Sequence, residues 1–241
     1  LRVYGPAGAE RVIPVDGPLG ALRFGEDGTP FGLLMHEDFD TAALVNLSTG
    51  VATDPIPVGS GGTVVLVTGP DNSAVFASAI TDYDTGATVG TAVALIGSTA
   101  IDIPLGGGQV SSAVFGPDGR AYVNAVTYDL DTSTGTVTSA TTTVYAVDAG
   151  GAAVVFAGDG IGSTSIRDGK IYLTLTDVTN APDVVTVIRE LDVASAIGRQ
   201  PVVPGFGDPL VALIQIGADI QRLGVVAALD LDEHTPATGR R

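Results

Sequence analysis

Aspartates separated by a single residue recur along the chain, and they are its residues best suited to bind a metal ion. A hard cation such as Ca²⁺ is held by roughly six to eight oxygen atoms, and carboxylates with neighbouring carbonyls could provide several of them. We therefore regard eight aspartates as candidate calcium ligands: Asp38, Asp40, Asp82, Asp84, Asp129, Asp131, Asp230 and Asp232. No other cofactor is predicted.

The same acidic segments are also typical of tight β-hairpins. Asp and Thr side chains accept or donate hydrogen bonds to the backbone of their own turn. The segment DLDTSTG at 129–135 begins like an EF-hand loop, but the position that requires a bidentate acid is Ala140. Two interpretations therefore remain, of which we favour hairpin chemistry over a metal site.

Other kinds of site have little support in the sequence. His36 and His234 are the only histidines, and neither accompanies a nucleophile motif. Cysteine is absent, which excludes Cys-ligated metals and Cys nucleophiles. The glycine-rich segments 106–108 and 158–162 lead into predicted strands, so no helix N-terminus is available to bind a phosphate. We predict no catalytic residue and no enzymatic activity.

A repeat in the sequence indicates the strands and turns that would position the acid pairs. Five turn aspartates, at 27, 71, 118, 168 and 219, lie 44, 47, 50 and 51 residues apart. Another aspartate follows each of them after 11 residues, or after 9 in the fourth copy. Short segments rich in Val, Thr and Tyr, separated by Gly, Asp and Pro, predict strands between these marks. The period suits the four-stranded blade of a β-propeller.

We therefore predict a single all-β domain, 1–241: a five-bladed β-propeller of four-stranded antiparallel blades. Residues 1–17 match the second half of a blade and the chain ends on a first half, so the N-terminal strands would complete the C-terminal blade and close the ring. The alternative is an excerpt from a longer array. Residues 208–224 could form a helix, but the repeat favours a strand, the innermost of the fifth blade. The predicted blades are approximately 20–60, 61–107, 108–158, 159–206, and 207–241 with 1–19.

Composition narrows the range of partners. The chain has 27 acidic and 11 basic residues, a formal charge of −16, which argues against binding to nucleic acid. Its 45% of hydrophobic residues are enough for a sizeable core, and its 33 glycines are roughly twice the usual share. No apolar run approaches the roughly 18 residues of a spanning helix, so we predict no membrane span.

The glycine-rich turns resemble those of YVTN-like β-propeller repeats. GPDG with AYV at 116–123 matches best, GPD at 69–71 follows, and DG with IY at 168–172 keeps only the core of the motif. The Thr-rich hairpins are similar to repeats of actinobacterial, mycobacterial-type, cell-envelope or secreted proteins. The resemblance implies an extracellular or cell-envelope location, and a non-enzymatic binding or scaffold module within a larger chain or complex.

In a propeller, the acid pairs would ring one face. We predict that this acidic face binds a protein or other ligand. A lectin-like glycan-binding propeller is one alternative, although the chain has no Trp and Tyr122 and Tyr172 lie inside strands. A carbohydrate-active hydrolase is less favoured, because the innermost predicted strands offer Arg23, Thr164 and Gln215 but no acid pair for the central funnel.

Overall fold

The described chain is built from β-strands. A computed structural model describes residues 2–4, 10–12, 17–37, 39–58, 63–82, 87–131, 133–134, 136–178, 184–191 and 212–216. Within these ranges there is no helix, and therefore none long and apolar enough to cross a membrane. The all-β class predicted from the sequence is confirmed. The strands are β1 Arg2–Tyr4, β2 Glu10–Val12, β3 Leu19–Phe24, β4 Pro30–Met35, β5 Thr41–Asn46, β6 Ile56–Pro57, β7 Thr63–Thr68, β8 Ala74–Thr81, β9 Thr88–Ile96, β10 Thr99–Ile103, β11 Gln109–Phe115, β12 Ala121–Asp131, β13 Thr136–Asp148, β14 Gly151–Asp159, β15 Ile161–Arg167, β16 Lys170–Asp177, β17 Val184–Leu191 and β18 Ala212–Ile216.

Sixteen of these strands form four antiparallel sheets in chain order. Sheet 1 contains β3 to β6, sheet 2 β7 to β10, sheet 3 β11 to β14 and sheet 4 β15 to β18, and in each sheet every strand pairs with the next one along the chain. Strands β1 and β2 form a separate antiparallel hairpin. Each sheet is thus a meander, in which successive hairpins alternate between the two ends of the strands.

The last strand of sheet 4 differs from the sequence prediction. Residues 212–216 do form a strand, but it pairs with β17 as the fourth strand of sheet 4, with partners running from Val184↔Ile216 to Ile188↔Ala212. The prediction placed it innermost in a fifth blade, beyond a boundary at 206. An antiparallel ladder is made by backbone groups, so a short apolar segment fits an outer position as well as an inner one.

Neighbouring sheets pack face to face and share apolar cores. Three clusters combine residues from the facing strands of two sheets, so the sheets follow one another in the order 1, 2, 3, 4. Their buried members include Phe31, Leu44, Phe76 and Leu95 between sheets 1 and 2, Val75, Val123, Tyr145 and Val147 between sheets 2 and 3, and Tyr122, Val144, Ile171 and Leu173 between sheets 3 and 4.

The first strands of the four sheets also lie next to one another. Strand β7 contacts β3 and β11, and β11 contacts β15. Thr68 Oγ1 donates a 3.0 Å hydrogen bond to the carbonyl of Phe24, and the backbone N–H of Thr164 donates a 2.8 Å bond to Ser112 Oγ. The first hairpins of the sheets are thereby brought together at one end of the array, and the second hairpins lie at the opposite end.

Apolar runs differ in burial according to the strand that carries them. Two continuous apolar runs, Val64–Val67 and Val93–Ile96, predict strands that are buried on both faces. Val93, Ala94 and Leu95 are buried, as predicted, but Val64 is 47% exposed. The reason is position: β9 is an interior strand of sheet 2, whereas β7 is its edge strand.

Candidate binding surfaces

The second hairpins of sheets 1, 2 and 3 carry aspartates predicted as metal ligands. We call the four connections β4–β5, β8–β9, β12–β13 and β16–β17 the acidic edge. Asp40 and Asp82 are exposed in the first two connections, and Asp129 and Asp131 lie at the end of β12. Asp177, the acid at the corresponding position of the fourth sheet, ends β16. The remaining candidates, Asp38, Asp84, Asp230 and Asp232, lie outside the described residues.

Asp131 stabilises its own turn. Its Oδ1 accepts hydrogen bonds from the backbone N–H of Ser133 at 2.8 Å and from Ser133 Oγ at 2.6 Å. These bonds, the side-chain one foremost, hold the pKa of Asp131 below its usual value. Asp129 Oδ2 accepts a 2.6 Å bond from Ser139 Oγ across the hairpin. Both carboxylates therefore have the hairpin role that the sequence favours.

The acid pairs do not converge in the described structure. Among the residues it covers, no three His, Asp or Glu side chains lie close enough together to hold a metal ion. Asp129 and Asp131 share one strand, but their carboxylates bond to different partners, Ser139 and Ser133. Calcium binding by the eight aspartates stays a prediction.

Large apolar side chains project among the acids at this edge. Phe39 is 60% exposed, Leu130 is 38% exposed, and Val89, which follows the β8–β9 connection, is 59% exposed. Phe39 also has a φ of 59°, a conformation that bulky side chains rarely adopt. The edge therefore combines negative charge with exposed apolar groups.

The sequence carries a signal for these side chains that charge alone does not reveal. The residue between the two acids of every pair is large and apolar or aromatic: Phe39, Tyr83, Leu130 and Leu231. Phe39 lies within its turn, where small or polar residues are usual, so turn chemistry does not explain it. Leu130 lies in β12, opposite Val137 on β13. Tyr83 and Leu231 lie outside the described residues, and the two described members are both exposed.

The opposite end of the array is formed by the first hairpins, which carry the repeated turn aspartates. We call the connections β3–β4, β7–β8, β11–β12 and β15–β16 the turn edge. Asp27 Oδ1 accepts a 2.9 Å bond from the backbone N–H of Thr29, which holds the pKa of Asp27 below its usual value. Gly28 and Gly119 have φ of 80° and 79°, which only glycine adopts readily. These aspartates and glycines have the structural role expected of them.

Asp118 also binds a buried side chain. Its Oδ2 accepts a 2.7 Å bond from the hydroxyl of Tyr122, which is fully buried between sheets 3 and 4. Burial, and secondly the bond to Asp118, raise the pKa of Tyr122 well above its usual value of 10.0. The fold therefore favours the neutral phenol.

Tyr122 is expected to make the fold sensitive to alkali. Because its pKa is higher in the folded state, its contribution to stability is complete below about pH 10 and is lost as the pH rises further. At pH 8, Tyr122→Phe should lower the free energy of unfolding by about 1 kcal/mol, because the hydrogen bond to Asp118 is removed. Between about pH 9 and pH 11.5, however, the melting temperature of the variant should fall less than that of the wild type. Differential scanning fluorimetry measures both, and equal alkaline losses would contradict the prediction.

A cavity of about 780 Å³ opens at the turn edge. Its walls include Val67, Ala113, Phe115 and Ile166, which belong to the first strands of sheets 2, 3 and 4. Glu26, Asp71 and Asp118, from the first hairpins of sheets 1, 2 and 3, also line it. The sequence predicted turns at Asp71 and Asp118 but gave no indication of Glu26 or of the cavity, which depends on how the sheets are stacked.

His36 is exposed in the β4–β5 connection, and His234 lies outside the described residues. Tyr122 is buried, as predicted, and Tyr172 is half-buried.

No model of a known protein family matches the chain, and a search of curated proteins gave no match either.

Proposed function

We propose that the chain is a five-bladed β-propeller that acts as a non-enzymatic binding or scaffold module outside the cytoplasm, with the acidic edge contacting a protein partner. The four described sheets support the architecture, since each is a four-stranded meander packed face to face on the next, with first strands adjoining. The β1–β2 hairpin corresponds to the two strands needed to complete a fifth blade.

The observation that carries the function is the apolar residue at the centre of each acid pair. Exposed Phe39 and Leu130 offer contact area that becomes dry when a partner covers it, while the flanking carboxylates attract Lys and Arg. The complementary surface is basic and carries apolar side chains of its own. The net charge of −16 would speed the encounter with such a partner.

The conformation of Phe39 supports the same role. Asn or Gly at this position would relieve the cost of a positive φ and would remove an exposed apolar ring. The backbone N–H of Phe39 donates a 3.0 Å hydrogen bond to the carbonyl of His36, which stabilises the turn in which the exposed ring is presented. A side chain that costs stability in the free protein is explained by a contact made in a complex.

Binding can be measured with two labelled peptides, one alternating Lys and Leu and one alternating Lys and Ser. We expect the Lys–Leu peptide to bind more tightly, and Phe39→Ser/Leu130→Ser to weaken it about tenfold or more, because two apolar contacts are lost. Fluorescence anisotropy gives the Kd of each pair.

The matched control is Val12→Ser/Phe24→Ser, which removes two exposed apolar side chains that do not belong to the acidic edge. Its Kd should stay within about twofold of the wild type. Equal affinity for both peptides, or equal weakening by both double variants, would contradict a specific apolar and acidic contact surface.

Closure of the ring is tested by the dimensions of the chain in solution. A compact domain of 241 residues has a radius of gyration of about 18 Å. We expect small-angle X-ray scattering to give this value, because a closed ring leaves no sheet face for further stacking. A clearly larger radius with an elongated distance distribution would favour an open array.

A further inference from the structure

We propose that the cavity at the turn edge binds an organic cation with an apolar body, such as an amine attached to a hydrocarbon or aromatic group. The inference goes beyond the proposed function, since the cavity lies at the end of the array opposite the acidic edge. Its volume of about 780 Å³ falls within the range of sites for small organic molecules, and the cavity is partly open to solvent.

The strands contribute an apolar part of the cavity wall, and the turns of the first hairpins contribute the rest. Val67, Ala113 and Phe115 come from β7 and β11, and Ile166, near the end of β15, is 42% exposed. The ring of Phe115 lies directly against Gly69, where even a Cβ atom would overlap it. This close approach fixes the ring in the wall, so an apolar ligand would meet a formed surface.

Three carboxylates from three sheets are placed around these walls. Asp118 is held by the hydroxyl of Tyr122 and by the backbone N–H of Arg120. Asp71 belongs to a tight turn with a φ of 53°, which limits its position. Glu26 lines the cavity from the first hairpin of sheet 1. Positive charge in the ligand is therefore favoured from several sides.

The charges around the cavity favour a cation over an anion. Among the described residues no three His, Cys, Asp or Glu side chains, the three cavity acids included, form a group that could hold a metal ion. None of the described lining residues is basic, and Arg120 and Arg167, which adjoin lining residues in the chain, are paired with Asp148 and Asp168 at 3.1 and 3.8 Å. An anion is therefore disfavoured, whereas an extended organic cation fits both the walls and the charges.

The test uses dansylcadaverine, which joins an aromatic body to a primary amine, and dansylamide, which has the same body without the charge. We expect saturable binding of dansylcadaverine to the whole chain, seen as a rise in dansyl fluorescence, and at least about tenfold weaker binding of dansylamide. Glu26→Gln/Asp71→Asn should weaken dansylcadaverine about tenfold, since two ion pairs are lost and Asn tolerates the turn conformation. Ile166→Ser should weaken both probes.

A charge-matched control separates the cavity from the overall field of an acidic protein. Glu37→Gln/Asp40→Asn removes the same charge at the acidic edge and should change the Kd by less than about twofold. Thermal melts identify variants that fail to fold. Absence of saturable binding at millimolar probe, equal binding of the two probes, or equal loss in both double variants would overturn the proposal. The Lys–Leu peptide result at the acidic edge is independent of all three outcomes.

Discussion

Replacing Phe76 with alanine is expected to lower the free energy of unfolding by about 3–5 kcal/mol. Phe76 is fully buried in the cluster between sheets 1 and 2, where it packs with Phe31, Leu44 and Leu95. Truncation removes the transfer free energy of the ring and leaves a cavity that two stacked sheets cannot close without changing their spacing. Urea unfolding, followed by tyrosine fluorescence or circular dichroism, measures the loss as a shift of the midpoint.

Phe24→Ala provides the control for this prediction, because Phe24 is a phenylalanine of the same region that is 53% exposed. Its cost should be within about 1 kcal/mol. If Phe76→Ala and Phe24→Ala have similar effects, sheets 1 and 2 do not share the core described, and the face-to-face stacking that supports a propeller loses its basis.

Local chemistry in the sequence predicted the class of the fold and the positions of its turns. Glycine at 28 and 119 lies where φ is positive, and Asp27 and Asp118 bond to the N–H two residues on. Such turns depend on three or four consecutive residues, so a single sequence contains the information needed to predict them.

Strand order and burial depend on contacts that are distant in the sequence. Residues 212–216 were correctly predicted as a strand, but their partner, β17, was not. Val64 and Val93 stand in similar apolar runs, yet one is at the edge of sheet 2 and the other inside it. Local pattern gives the type of element, whereas its neighbours decide which faces are covered.

The candidate surfaces likewise combine features that have a local signal in the sequence with features that depend on distant contacts. The acids of the D-x-D pairs were identified from their spacing, and Asp131 proved to act in its turn. The central residues of the pairs played no part in that prediction, although Phe39, which lies in the turn itself, is of a type that turn chemistry does not explain. The cavity beside Phe115 had no local signal, since it is created where residues distant in the sequence meet, such as Gly69 and Phe115, which are 46 positions apart.

Replacing Gly90 with alanine is expected to cost about 3 kcal/mol, the upper part of the range for overpacking. Gly90 is buried on β9, and a Cβ atom there would overlap the carbonyl oxygen of Gly108 and lie 2.7 Å from the Cα of Gln109. The opposing atoms are backbone, so no side chain can rotate away. Sheet 2 and the start of β11 would have to separate, which would open the cluster around Val110 and Ala92.

Gly20→Ala is the matched control for this last prediction. A Cβ atom at Gly20 would meet the end of the flexible Met35 side chain at 2.8 Å, which can move, so the free energy of unfolding should change by less than about 0.5 kcal/mol. A large loss at Gly90 and a small one at Gly20, measured by urea unfolding, would show that glycine at β9 permits the close approach of two sheets. An unchanged midpoint for Gly90→Ala would mean that sheets 2 and 3 are further apart than described, and stacked blades would no longer explain the fold.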